Sequence, residues 1–343
     1  MAGGLTFREA TPDDVPAIVR FVDSVLNETA AQKASLLDDS FYRWQYDVQR
    51  DVIVIAEEAG EILAHYPLVA YPMRWGKRTV QVGVCQDLSV SDRLRGRGVF
   101  KQMGLLANDL AAAKGIDLLF AFPNHRSISG FLKHHGYSLV GEVGWFATVI
   151  DPTQGLPLKA LKRLGHALFG GNGPKEPPTA GPWDVGPLAD SAVPTTCLGT
   201  SRTNEYLDWR FAQRPNTDYV GLVEQENGQP VAWAALRVQE LKGLRVGLIM
   251  DLAVTPGADA ATGRLLARCR AYFRAQGAAL AFMVATPGVP AIASLRRAGY
   301  LPIPNRFAPR HLNLVARAVN PACEPLVKDL AAWHLTFADW DVF

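Results

Sequence analysis

The sequence is short of several things at once. Its 343 residues include four cysteines, Cys85, Cys197, Cys269 and Cys323, far apart and without a CxxC pair. That spacing argues against a zinc site or a disulfide framework, and free thiols fit a reducing cytoplasm. No run approaches the roughly 18 apolar residues that cross a bilayer. The first residues, Met-Ala-Gly-Gly-Leu-Thr-Phe-Arg, carry no apolar leader. Charge of one sign is missing too: 35 Lys and Arg stand against 33 Asp and Glu, a net of +2. Such a balance does not announce a binder of nucleic acid or of a membrane surface. Any anion site must come from a local cluster of positive charge. The expectation is a cytoplasmic protein with no metal, no nucleic acid and no membrane partner.

What is present points to two domains. The length exceeds one ordinary domain, and 48% apolar residues suffice for two cores. The chain also resembles itself. Ser40–Tyr46 (SFYRWQY) matches Glu205–Phe211 (EYLDWRF), Gln86–Val90 (QDLSV) matches Met250–Val254 (MDLAV), and His135-Gly-Tyr137 matches Ala298-Gly-Tyr300. The offsets are 209 − 44 = 165, 251 − 87 = 164 and 299 − 136 = 163. Three landmarks in one order with so little drift indicate two copies of one fold. Residues 170–182, GGNGPKEPPTAGP, read as a linker. Before it, Leu158, Leu161, Leu164 and Leu168 mark a short basic amphipathic segment, better read as a helix packed on its own domain than as a membrane-surface helix. The expected division is 1–155, a segment and linker 156–182, and 183–343.

Each copy reads as α/β, a central mixed sheet flanked by helices. Thr11 is a candidate N-cap before Pro12, Asp13 and Asp14, followed by the stripe Val15, Ile18, Val19 and Val22. Strands are predicted at 52–56, 62–71, 81–90 and 118–123, and helices at 99–114 and 128–134. The second copy repeats the pattern, with strands at 219–225, 231–236, 245–254 and 279–285 and a helix at 262–276.

After Asp87-Leu-Ser-Val90 comes Ser91-Asp-Arg-Leu-Arg-Gly-Arg-Gly98, opening directly into the helix from Val99. Strand, Arg/Gly-rich turn and helix suit a diphosphate. Glycines let backbone N–H groups approach phosphate oxygens, the helix N-terminus adds its dipole, and Arg93, Arg95 and Arg97 add charge. An Arg/Gly-rich surface turn is the plainer reading. The run Arg93–Gly98 resembles the signature of the GNAT superfamily of N-acetyltransferases: Arg or Gln, two residues, Gly, one residue, then Gly or Ala. Phe120–Asn124 (FAFPN), with Ser127, Phe131 and Gly136-Tyr137, is similar to the strand, Asn and helix that follow in that family. The resemblance implies two GNAT-like domains, the second degenerate. It implies acetyl-CoA or another acyl-CoA as co-substrate, held by Leu88, Ser89, Val90, Arg93, Arg95, Gly96, Arg97, Gly98, Val99, Phe100, Asn124 and Ser127. It further implies that backbone N–H groups around Leu88–Val90 polarise the thioester carbonyl and that a carboxylate acts as base.

Asp87 is the first candidate base, and a structural Asp tied to backbone is its alternative, because Asp251 holds the matching place in the second copy. Glu57, Glu58 and His65 are lesser candidates. At the place where relatives carry a tyrosine acid this chain has Phe131 and Leu132. Tyr137 is the nearest phenol and is carried as a second catalytic candidate, with His134 and His135 behind it. Cys85, with no basic neighbour, reads as a buried structural thiol rather than a nucleophile. The second copy has Thr-Pro-Gly-Ala-Asp259 where the first has its arginines, so it is expected not to bind coenzyme A and instead to shape the acceptor pocket or pack on the first domain. The tail Trp333–Phe343 is expected to dock, with Asp339 and Asp341 reaching an amine or its aromatics simply packing. The functional expectation is direct N-acyl transfer to a small primary amine such as an amino sugar, amino acid or polyamine. The alternative is a non-catalytic acyl-CoA sensor. Assembly as a homodimer is compatible with this reading.

Overall fold

The chain enters its first sheet at once. Thr6–Glu9 (β1) pairs antiparallel with Val52–Glu58 (β2), Phe7 opposite Ala56. Between them lie Val15–Thr29 (α1) and Asp39–Gln45 (α2). Thr11 starts the first helical turn as expected: its N–H and hydroxyl donate to the Asp14 carboxylate at 2.7 and 2.8 Å, and Arg8 grips the same group at 2.7 Å. The stripe Val15, Ile18 and Val22 is buried against Ile53 and Ile55 of β2. This computed structural model describes residues 4–29, 38–153 and 181–340. The expected amphipathic segment, most of the linker and Asp341 lie outside the described residues.

The chain divides into two compact units: 1–142 with 214–216 and 312–330, and 143–213 with 217–311 and 331–343. The first continues through Glu61–Trp75 (β3), Arg78–Cys85 (β4), Ser89–Val90 (β5), Val99–Ala113 (α3), Leu118–Ala121 (β6), Ile128–His134 (α4) and Ser138–Glu142 (β7). Its sheet runs β1-β2-β3-β4-β6, then Asn313–Ala318, then β7, with β5 on β3. β4 and β6 are parallel and are joined by α3, the crossover that a parallel pair requires. Val99, Met103, Ala107 and Ala111 bury one stripe of α3 on Val52, Val54 and Leu119.

The second unit contains Gly144–Val149 (β8), Gly186–Ser191 (α5), Leu198–Thr200 (β9), Asn204–Leu207 (α6), Val220–Glu226 (β10), Gln229–Leu241 (β11), Leu244–Val254 (β12), Asp259–Ala275 (α7), Leu280–Ala285 (β13), Ile292–Arg297 (α8) and Leu301–Ile303 (β14). Its sheet is ordered β10-β11-β12-β13-β8-β14. β12 and β13 are parallel across α7, the counterpart of β4, α3 and β6. Two mixed sheets flanked by helices are thus present, as the sequence predicts.

The strand membership differs from the expected division at 155 and 183. β8, read as part of the first domain, lies between β13 and β14 of the second sheet. Asn313–Ala318 (β15), read as part of the second, lies between β6 and β7 of the first. Apolar alternation marks a segment as strand. It does not say which sheet takes it when both offer an unpaired edge.

Candidate active site

The site begins where β4 ends. The parallel ladder between β4 and β6 stops at the pair Cys85–Ala121. Past it the chain turns to β3 alone, with Ser89 opposite His65. Leu68 pairs with Cys85 and His65 with Ser89, so two residues of β3 face Gln86, Asp87 and Leu88. That is a β-bulge, a device that bends one strand away from its neighbour. Asp87 sits in it with φ +50°, a left-handed conformation that L-residues rarely adopt. β4 and β6 therefore stop pairing at this point, which leaves a gap in the ladder between two parallel strands.

Tyr42, Tyr46 and His65 brace the bulge from outside it. The Tyr46 hydroxyl donates to Asp87 Oδ2 at 2.7 Å. His65, fully buried on β3, lies 3.1 Å from the Tyr42 hydroxyl through Nε2 and 3.4 Å from the Asp87 carbonyl oxygen through Nδ1. Burial lowers the His65 pKa to about 4, so the ring is neutral near pH 7. One tautomer satisfies both contacts: Nδ1–H donates to the Asp87 carbonyl and Nε2 accepts from Tyr42. His65 is thus a brace for the bulge rather than a proton carrier. Burial, with the charge of Asp87 second, pushes the Tyr46 phenol well above its ordinary value, so it stays a donor. Tyr42 and Tyr46 are the residues that sequence reasoning missed. A signal was there: their counterparts in the repeat are Leu207 and Phe211, so the second copy keeps the apolar shape and drops both hydroxyls.

The Arg/Gly turn continues from β5. Ser91 accepts from the Arg93 N–H and caps the short turn Asp92–Leu94, and buried Leu94 anchors it. Gly96 and Gly98 have φ of +75° and +70°, and Gly98 is the N-cap of α3 with no side chain capping the helix. The first N–H groups of α3 are thereby left for an external acceptor. A Cβ on Gly96 would meet nothing within 4 Å, so the approach is open. Coenzyme A fits this arrangement: a gap between strands for an extended arm, and an uncapped helix N-terminus for a diphosphate. The three arginines are engaged with carboxylates, Arg93 with Glu61 (2.7 Å), Arg95 with Asp92 (2.8 Å) and Arg97 with Glu58 (3.0 Å). All three pairs are solvent-exposed, and exposed pairs stabilise little, so an arriving phosphate competes for them readily.

Several expected site residues sit elsewhere in the chemistry. Ser89 and Val99 are buried, Val99 in the core and Ser89 with its hydroxyl donating to the Asp87 carbonyl oxygen at 3.3 Å, which leaves their backbone for a ligand. Phe100 packs on His135 with ring centroids 4.4 Å apart. The Asn124 carboxamide oxygen accepts from the N–H groups of Arg126 and Ser127 and from the Ser127 hydroxyl, so it shapes the turn into α4. Glu57 is bound to Arg8 at 2.9 Å. Tyr137 is corrected: it is a core residue, edge-on to Phe131 at 5.0 Å, and burial raises its phenol well above the ordinary value, which unsuits it as an acid. His135 is buried, its Nε2 lying 3.0 Å from the Phe100 carbonyl oxygen. Burial also raises the Cys85 thiol, in keeping with a structural role.

The second unit makes the same divergence and fills it. The parallel ladder of β12 and β13 ends at Leu248–Phe282. Beyond it, Thr286 N–H donates to the Leu335 carbonyl (3.2 Å), and the Thr336 hydroxyl donates to Asp251 (3.0 Å). The chain's own segment Trp333–Asp339 therefore bonds to both sides. Arg202 bridges Asp251 (2.7 Å) and Asp339 (2.8 Å) in a fully buried cluster. Burial works against the Asp339 carboxylate, but the Arg202 charge outweighs it and holds its pKa below the ordinary range. Asp339 consequently does not reach for an amine, correcting the expectation for the tail.

Residues 6–140 match the family model described as an acetyltransferase (GNAT) domain. Residues 6–140 are a GNAT domain. No curated protein matches the chain in sequence. Among solved structures, the chain is similar to a GCN5-related N-acetyltransferase from Anabaena variabilis, with 10% identity over 94% of this chain and 74% of that one and a TM-score of 0.60. It is similar to another from Kribbella flavida, with 13% identity, 93% and 72% coverage and a TM-score of 0.57. Saccharomyces cerevisiae N-myristoyltransferase with bound myristoyl-CoA matches with 11% identity, 93% and 80% coverage and a TM-score of 0.56. At such identities the likeness speaks for fold, and it extends over both units. The GNAT domain carries the acyltransferase fold with its bulge, gap and glycine turn. Among the described residues, no group of His, Cys, Asp and Glu could hold a metal ion, and no helix is long and apolar enough to cross a membrane.

Proposed function

We propose that the protein transfers an acetyl or other acyl group from coenzyme A to the primary amine of a small molecule, such as an amino sugar, amino acid or polyamine. The observation that carries this is the bulge at Asp87 beside the gap between β4 and β6: an ionisable group, strained and held by Tyr46, at the mouth of the space that suits an acyl-CoA arm. Coenzyme A supplies the acyl group as an activated thioester. The uncapped α3 N-terminus, Gly96, Gly98 and Arg93, Arg95 and Arg97 hold the diphosphate, with Leu88–Val90 and Phe100 along the arm. The Asn124 turn and Ser127 line its far side. Backbone N–H groups around Leu88–Val90 donate to the carbonyl oxygen as charge develops. The Asp87 carboxylate takes the amine proton as nitrogen attacks carbon, the C–S bond breaks and coenzyme A leaves as the thiolate. No phenol serves as acid, because a thiolate whose thiol has a pKa of about 8.5 leaves without much help.

Release of thiol from acetyl-CoA with an amine panel tests the reading. Asp87→Asn is expected to lower kcat by about 10² to 10⁴, the usual worth of a general base, with acetyl-CoA affinity unchanged. Calorimetry is expected to give one acetyl-CoA per chain, since the second unit's gap is filled by its own tail. Tight acetyl-CoA binding without turnover on any amine would instead favour the sensor reading, and Asp87→Asn at wild-type rate would remove Asp87 as base.

A further inference from the structure

A groove of about 740 Å³ lies in the second unit between α7 and α8. Its walls carry Arg270, Arg274 and Arg297 with one acid, Asp259, and Gly263 and Ala267 keep its floor low. That volume is in the range of small-ligand sites.

Comparison of the two copies shows where the charge came from. In the first unit Asn108 Nδ2 donates to the His135 carbonyl oxygen at 3.0 Å. In the second, an Arg270 guanidinium nitrogen donates to the Ala298 carbonyl oxygen at 3.1 Å. His135 and Ala298 are matched positions of the repeat, so Arg270 stands where Asn108 stands. One turn later, Arg274 stands where exposed Ala112 does. The first unit's carbonyl also accepts from Arg317 Nη1 of β15 at 3.0 Å, but from the helix itself it meets only a neutral amide. The Arg270 guanidinium places a positive charge and several further N–H donors on the helix.

These donors have little to answer them. Arg297 is paired with Asp259 at 2.6 Å, which uses the one acid of the lining. Arg274 Nε is buried and has no hydrogen-bond partner among the described residues. A buried donor without a partner is costly, so this nitrogen favours an acceptor that reaches it from the groove. Arg270 and Arg274 are four residues apart and so neighbour each other on one helix face. Two guanidinium forks at that spacing suit the oxygens of one phosphate. Gly263 and Ala267, on the same face toward the helix start, leave room for an organic body.

We infer that this groove binds a small phosphate ester, its phosphate between Arg270 and Arg274 and its body along Gly263 and Ala267. It is distinct from the glycine turn of the GNAT domain and does not depend on the proposed reaction. The full-length protein is titrated calorimetrically with inorganic phosphate and with a panel of sugar and nucleoside monophosphates. The monophosphates are expected to bind at least tenfold more tightly than inorganic phosphate. Arg270→Gln with Arg274→Gln is expected to weaken them at least tenfold, while Arg95→Gln with Arg97→Gln in the first turn leaves them unchanged. Ala267→Glu, on an exposed helix position that disturbs no buried contact, is expected to give the same loss with an unchanged melting temperature, so misfolding cannot mimic the result. Monophosphates that bind no tighter than inorganic phosphate, or binding that survives both groove variants, overturns the inference.

Discussion

Asp87 and Tyr46 form the contact on which chemistry at the gap turns. A phenol that donates at 2.7 Å steadies a carboxylate and fixes its direction, and hydrogen bonds to charged acceptors exceed neutral ones in strength. Tyr46→Phe is expected to lower kcat about tenfold and to move the acid limb of the kcat/KM profile to higher pH, because a carboxylate deprived of a donor holds its proton longer. Its acetyl-CoA dissociation constant is expected to stay within about twofold. If Tyr46 only packs, the limb stays in place and the melting temperature alone falls. At this scale the sequence was legible in part. Asp87 could be named because it precedes the turn, and the glycines because the spacing demands them. Tyr137 could not be dismissed, because a phenol three residues past a short helix reads alike whether it faces a cleft or the core. Asn124 likewise looks the same in sequence whether it meets a ligand or closes its own turn. Tyr46 was hidden because its partner lies 41 residues away.

The strand, turn and helix from β4 to α3 act as one element. Gly98 has φ +70° at the helix start, and a Cβ placed there would have Gln102 Nε2 as its nearest neighbour at 3.8 Å, an ordinary contact. Space is therefore available, and the cost of Gly98→Ala comes from the backbone, about 1 to 2 kcal/mol. Chemical denaturation is expected to read that loss. Acetyl-CoA affinity is expected to fall further, by tenfold or more, because the added methyl stands beside the N–H groups that receive the diphosphate. Equal affinity in Gly98→Ala would show that the helix start is not the phosphate cradle. Elements were the most legible level: the β-branched run at Val52–Ala56, the helix after Gly98 and the repeat landmarks all predict what forms. The bulge was not legible, since a two-for-three register has no composition. The tenancy of β8 and β15 was not legible either, because both are short apolar strands that fit either sheet.

Across the whole molecule, neutral buried histidines tie stability to pH. Burial lowers His65 and His135 to about 4, and it lowers His334 in the second unit as well. Unfolded histidine titrates near 6.5, so between pH 6.5 and 4 the unfolded chain binds more protons than the folded one, and stability rises with pH across that window. The melting temperature is expected to fall as pH drops below about 6.5, with fully buried His65 alone worth up to about 3 kcal/mol by pH 4. His65→Gln is expected to flatten that fall, and a variant as steep as wild type would deny His65 its part. A second molecular consequence comes from the strand β15. The sheet that frames the gap cannot close when the ribosome has finished β7, because the strand that belongs beside it is made about 170 residues later. At roughly 5 to 20 residues per second this is a wait of about 10 to 30 seconds, during which β6 and β7 have no partner between them. The GNAT domain, translated first, is therefore completed only after most of the second unit has been made, and a nascent chain stalled before residue 313 is expected to bind no acyl-CoA.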